Sequence, residues 1–313
     1  MLRVSTAVAA APPVVAVLLS IIMSSCSSKP PFRSPRRLPG AVSNGGGDVA
    51  ELHSASAQEV ARRALILRSL AAVDVYPRSD EQFSPEVIQH LETERAELVK
   101  WLEKEGAWGE ATEREKEILT TRVGTRKRDE GRADESPREP LLVMLWSLGL
   151  VEAMPPYDTP APPVNRLNRY LPAIGEPTEK LVRGAELRPE AEIEREWETA
   201  ELWHWRARAR EVMRDKRYPQ GRELDSQVQA LTEQAREDGF RLKPIRDGET
   251  FFQELVRFAA HYGHRQGLIP PPIGEDFPAK KKSYADLDEK EFESVRRLAA
   301  ERHHALRWVR GEE

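Results

Sequence analysis

The sequence predicts an all-α fold, a single helical domain behind an N-terminal leader and tether. Three observations carry the prediction. From about Ser54 onward apolar residues recur at spacings of three and four. Serine, threonine and proline stand where helices should start, and glycine where they should stop. No stretch alternates apolar with polar residues in the two-residue rhythm of a half-buried strand, and neither a solenoid period nor a heptad seam runs through the chain. Composition agrees: of 313 residues 32% are charged and 39% apolar, with a formal net charge of -4, a globular profile rather than a polytopic membrane one. No concentrated basic region is present to neutralise phosphates, which argues against nucleic acid as the main partner.

Residues 1–25 read as a signal peptide. "MLR" supplies a short positive start, and Val14 to Met23 an apolar run of secretory length, followed by two serines and Cys26. Cys26 is the only cysteine, so an internal disulfide and a multi-thiolate zinc site are both closed. Met23-Ser24-Ser25-Cys26 resembles the bacterial lipoprotein box, whose cysteine is diacylated and becomes the new N-terminus; Met23 stands where that box usually has leucine. The expectation is lipidation at Cys26. It would make the membrane a partner through an N-terminal lipid anchor and place the protein in the bacterial cell envelope, periplasm-facing or extracellular. Two alternatives stand beside it: an uncleaved anchor over Val4 to Ser25, just long enough for a bilayer core of about 30 Å, and an exported protein with an incidental cysteine. Residues 26–53, with their prolines, serines and "GGG", have little to bury and are expected to form a disordered tether. Lys29, Arg33, Arg36 and Arg37 could rest on anionic headgroups at about 1 kcal/mol each, or be ordinary solvated charge.

Residues 54–313 form the expected helical domain. In "SASAQEVARRALILRSLAAVDV" Val60, Ala64, Leu67 and Ala71 define one buried face. "SPEVIQHLETERAELVKWLEKEG" opens on Ser84 and Pro85, carries Val87, Leu91, Leu98, Trp101 and Leu102 on one face, and stops at Gly106. "TEREKEILTTRVG" has a Thr112–Glu115 capping box but few apolar residues, as an exposed helix would. The charge-dense "GTRKRDEGRADESPRE" reads as a surface loop. "SPREPLLVMLWSLGLVEAMPP" is apolar nearly all round from Leu141 to Leu148, which predicts a buried central helix, with a Ser136–Glu139 capping box and a first turn loosened by Pro140. A long helix near Pro189 carries Ile193, Trp197, Ala200, His204 and Ala207 as one stripe, with Leu202, Trp205, Ala209 and Val212 beside it. Two shorter amphipathic segments, "DSQVQALTEQARED" and "ETFFQELVRFAAHYG", and a proline-rich loop lead to a last helix with Phe292, Val295, Leu298, Arg302, Ala305 and Trp308 at helical spacing.

"EPLLVMLWSLGLVEAMPP", "ERHHALRWVRG" and the stretch from "LRPEAEI" to "HWRAR" between them resemble a bacterial family known only as domain of unknown function 4272, over roughly residues 55 to 310. The departures are Pro140 in place of alanine, Ser136-Pro137 in place of tryptophan and arginine, and Arg307 in place of asparagine. The resemblance implies a shared helical fold and no established activity.

The chemistry left to the motifs is limited. Glu301, Arg302 and His303 on the last helix could gather as acid, electrostatic clamp and base of a hydrolase-like site. The structural reading is that buried Arg and His bond with Glu139 or Glu201 to fix how segments meet, because buried charges must be paired. Glu139, Trp146, His204, Trp205, Arg208 and Trp308 are the candidates for binding a partner protein or small ligand, although tryptophans at helical spacing are more often core. His261 and His264, at i and i+3, are weak metal candidates, with "HYGHRQG" expected to fray around Gly263. No nucleophile elbow and no phosphate-cradling glycine loop is present, and no cofactor is expected. Two classes of function follow. One is a lipid-anchored interaction or binding module; the other is an envelope enzyme built on Glu301, Arg302 and His303.

Overall fold

The structure, a computed structural model, describes residues 54–77, 79, 81, 83–125 and 136–312. The segments expected to form a signal peptide and a tether, with Cys26, and most of the charge-dense loop therefore lie outside the described residues. The helices are α1 (Ala57–Asp74), α2 (Pro85–Lys104), α3 (Glu113–Thr120), α4 (Arg138–Ser147), α5 (Val164–Leu167), α6 (Glu179–Arg183), α7 (Glu190–Arg214), α8 (Gly221–Glu237), α9 (Gly248–Arg265) and α10 (Glu289–Val309). One antiparallel pair, β1 (Pro278–Ala279) with β2 (Lys282–Ser283), interrupts them. The described chain divides into two compact units, one of residues 54–197 with 297–312, the other of residues 198–296. No helix among the described residues is long and apolar enough to cross a membrane.

In the first unit α4 takes the central place its all-round apolar sequence predicts, with Leu141, Leu142, Val143 and Leu145 all 0% exposed. Its start differs from expectation. No side chain caps it, and Pro137 is the residue before its first turn. Glu139 points away to other partners, so the Ser136–Glu139 box does not form. Pro140 is the third helical residue, where an N–H would have no intrahelical acceptor, so the proline disturbs nothing. Helix α1 opens with a capping box between Ser56 and Glu59 and packs against α4, α3 and α6. It is buried on more than the one face its periodicity shows, because Leu65, Ile66, Arg68 and Ser69 are also enclosed. Helix α2 begins at the Ser84 cap with Pro85 in its first turn, but only Leu98, Trp101 and Leu102 are buried; Val87 is exposed. Helix α3 keeps its predicted Thr112–Glu115 box and is less exposed than expected, with Leu119 buried and Glu115 paired to Arg63 at 2.7 Å.

The second unit is built on α8, α9, residues 198–214 of α7 and the loop 266–288. Trp203, Phe277, Tyr284 and Phe292 form its aromatic centre, Trp203 meeting Phe277 edge-on at 5.5 Å and Tyr284 meeting Phe292 edge-on at 6.1 Å. Gly263 sits inside α9 and does not fray it: a Cβ there would come within 3.2 Å of Leu202 and 3.3 Å of Ile269, so the missing side chain lets the elements approach. The proline-rich loop contains two tight turns, Gly274-Glu275 and Lys280-Lys281, all four residues at positive φ. The short β1–β2 hairpin formed by the second turn went unread in the sequence because two-residue strands carry no alternation.

Candidate functional site

The most developed buried polar cluster of the first unit is assembled around Arg302. Its place in the apolar stripe of α10 points it inward, and it is 0% exposed. Arg302 Nε donates to Glu139 Oε2 at 2.9 Å, Nη1 to the Pro155 carbonyl at 2.7 Å, and Nη2 to the Thr159 carbonyl at 2.8 Å. The other oxygen of Glu139 accepts from the Ala161 backbone N–H at 2.5 Å. One buried ion pair thus ties α10 to the first turn of α4 and binds the loop 155–161 to both. The guanidinium also lies over the Tyr157 ring, 4.9 Å from its centroid.

Tyr157 extends the cluster by donating to Glu196 Oε1 of α7 at 2.9 Å. Burial raises the Tyr157 hydroxyl far above the ordinary tyrosine value. Burial also raises Glu196 above the usual carboxylate range, outweighing the Tyr157 hydrogen bond and the attraction of Arg302. A carboxyl whose folded value is raised supports the fold most when protonated, so its contribution is full below the ordinary carboxylate value and is lost as pH rises through the raised one. Glu196→Gln, which stays neutral, is therefore expected to melt higher than the wild type at neutral pH. The difference should shrink as pH falls below the ordinary carboxylate value. Paired thermal melts across that range check this; a difference independent of pH would contradict the assignment.

The structure does not bring Glu301 and His303 to the Arg302 guanidinium. Glu301 is half-buried, with Oε1 3.9 Å from Arg297 Nε, and His303 is buried with its ring 5.8 Å from that of His304. Of the binding candidates in this unit, Glu139 belongs to the cluster. Trp146 is buried under Arg188, whose Cζ stands 5.0 Å from its ring and whose Nε donates to the Trp146 carbonyl at 2.7 Å. Trp308 is half-buried, 5.8 Å from the Arg63 guanidinium.

In the second unit His204 is half-buried, Trp205 is enclosed near Phe277, and Arg208 is an exposed residue paired with Glu211 at 3.2 Å. His261 stacks on Phe240 at 4.8 Å and His264 is exposed in the last turn of α9. Among the described residues no group of three or more His, Cys, Asp or Glu is arranged to hold a metal ion.

Sequence reasoning missed a second buried ion pair. Arg206 on α7 grips Asp276 with Nε and Nη2 at 2.7 and 2.6 Å, and the same carboxylate accepts from the backbone N–H groups of Phe277 and Ala285 and from Ser283 Oγ. Asp276 follows the turn residues Gly274 and Glu275, and that position was the one available signal.

The family described as domain of unknown function (DUF4272) matches residues 47–231, more than half of the chain. The match takes in "EPLLVMLWSLGLVEAMPP" and the long α7 and ends within α8, short of "ERHHALRWVRG". No curated protein and no solved structure matches the chain.

Proposed function

We propose that this chain, which belongs to the DUF4272 family, is a lipid-anchored protein of the bacterial cell envelope whose helical part serves as an interaction or ligand-binding module. The closed pairing of Arg302 carries the reading against the hydrolase alternative. Each of its three nitrogens is bonded to protein oxygen, and both oxygens of Glu139 are engaged, so neither charge is held in reserve for a substrate. Such a pair supports a frame that presents surfaces rather than one that performs acid–base chemistry.

Anchoring is supported by the order of the leader: a positive start, an apolar run, two serines and Cys26. One acyl chain binds a membrane only marginally, and diacylation supplies the second chain that stable anchoring needs. Cys26→Ala is expected to leave a larger, unprocessed precursor and to lose acyl labelling in the native bacterium. Unchanged processing and labelling would remove the lipid anchor from the reading.

A further inference from the structure

We infer that the exposed first half of α2, with the small cleft beside it, is a docking surface for a basic amphipathic helix of a partner protein. The inference rests on the interaction-module reading and names the kind of partner. Five large apolar side chains are exposed among the described residues, and three of them, Val75 at 81%, Phe83 at 50% and Val87 at 41%, fall around the α1–α2 connection. Scattered singly such residues mean little, but gathered together they mark an interaction surface. Phe83 leads into the Ser84 cap, and Val87 and the half-buried Leu91 follow one turn apart. The same stripe continues into the buried Leu98, Trp101 and Leu102. It therefore has the pattern of a helix packed along its whole length, while the described residues cover only its second half.

The open stripe runs into a cleft lined by Val73, Tyr76, Ile118 and Val123, with Arg95 and Arg122 among its polar walls. Arg95 stands one turn beyond Leu91 on α2, so helix and cleft share a wall. They also meet at Gly124, beside Val123, where an added Cβ would lie 3.5 Å from Ile88 Cδ1. Val75 adjoins the same cleft through its neighbour Tyr76. All of these residues belong to one compact unit.

Charge selects the occupant. Glu86, Glu94 and Glu97 are exposed beside the stripe, with His90 Nε2 3.4 Å from Glu94. The two arginines of the cleft do not offset them: Arg95 is paired with Glu92 at 2.7 Å, and Arg122 stands 4.0 Å from the same carboxylate. An acidic edge along an apolar stripe repels an anionic lipid surface, and a second copy would bring like charges together. Lysine or arginine flanking apolar anchors matches both features. A helix with anchors at i, i+3, i+4 and i+7 can lie along Phe83, Val87 and Leu91 with one apolar side chain at the mouth of the cleft.

Fluorescence anisotropy of a dye-labelled helical peptide of leucine and lysine, its leucines at i, i+3, i+4 and i+7, titrated with the full chain tests this. Saturable binding is expected, weakening as salt rises. The same peptide with glutamate in place of lysine should not bind. Val87→Ser should weaken binding at least about fivefold, and Glu94→Lys similarly, because one removes an anchor contact and the other reverses a charge. Both side chains are exposed, so both variants should melt with the wild type. Glu233→Lys makes the same charge change on the exposed side of α8 and should bind within about twofold of the wild type. No saturable binding, wild-type binding by Val87→Ser, an equal loss in Glu233→Lys, or equal binding of the glutamate peptide would each overturn the assignment. So would a wild-type dimer in sedimentation, or binding to phosphatidylglycerol vesicles, that Val87→Ser abolishes, since the occupant would then be a second copy or a lipid surface. Cys26→Ala should bind the peptide like the wild type, so failure at α2 is separable from failure of the anchor. The melting of Arg302→Ala tests the module reading without reference to this surface.

Discussion

Arg302→Ala is expected to destabilise the fold by about 3 to 5 kcal/mol, the cost of breaking a buried ion pair by removing one partner. Glu139, 1% exposed, would keep only the Ala161 N–H, and the carbonyls of Pro155 and Thr159 would lose their donor together. In a structure of this size that corresponds to a fall in melting temperature of roughly 10 °C. Replacing both partners, as in Arg302→Met with Glu139→Leu, should recover much of the loss, because no uncompensated charge is then left behind. Denaturant unfolding of the two variants followed by circular dichroism measures both effects. A folded Arg302→Ala protein melting with the wild type would sink the structural role of the pair and revive the hydrolase reading.

Asp276→Ala should come next in size, at about 3 kcal/mol or more, for a related reason. The substitution strips a 2% exposed guanidinium of its bidentate partner and removes the acceptor shared by Phe277, Ser283 and Ala285. That acceptor also braces two turns in which Glu275, Lys280 and Lys281 hold positive φ without being glycine. Conformations of that kind persist only where surrounding structure over-determines them. The hairpin should therefore loosen first, and trypsin should cut the variant at Lys280 to Lys282 well before it cuts the wild type. Equal cleavage rates at those lysines would show that Asp276 does not brace the turn.

The two ion pairs differ in how far they could be read beforehand. Arg302 stands among Phe292, Val295, Leu298 and Ala305 at helical spacing, so its burial was legible, and Glu139 was one of two partners named for it. Its bonds to Pro155 and Thr159 were not legible, because a loop carbonyl has no sequence signature. Arg206 is flanked by Trp205 and Ala207 in a helix rich in arginine and glutamate, and nothing local separates it from Arg208 two positions on, which is exposed. Arg68 was hidden differently. Periodicity assigned one apolar face to α1, and the enclosure of its other side comes from α4 and neighbouring segments.

By itself the sequence determined the longer helices and most of their ends, though not the short α5 and α6 within the proline-rich connection. Apolar spacing, the Ser84 and Thr112 caps, and Gly106 and Gly149 at the stops act within a turn or two of chain, and local free energies of that kind do not wait for a fold. It also determined that α4 would be central, since a helix apolar on every side has no face to offer water. Only the tertiary structure decided which charges would be buried and with what. Arg302 reaches Glu139 across 163 residues, and Arg206 reaches Asp276 across 70. The desolvation cost of each charge is set by the packing of every segment around it, and no stretch of sequence contains that sum.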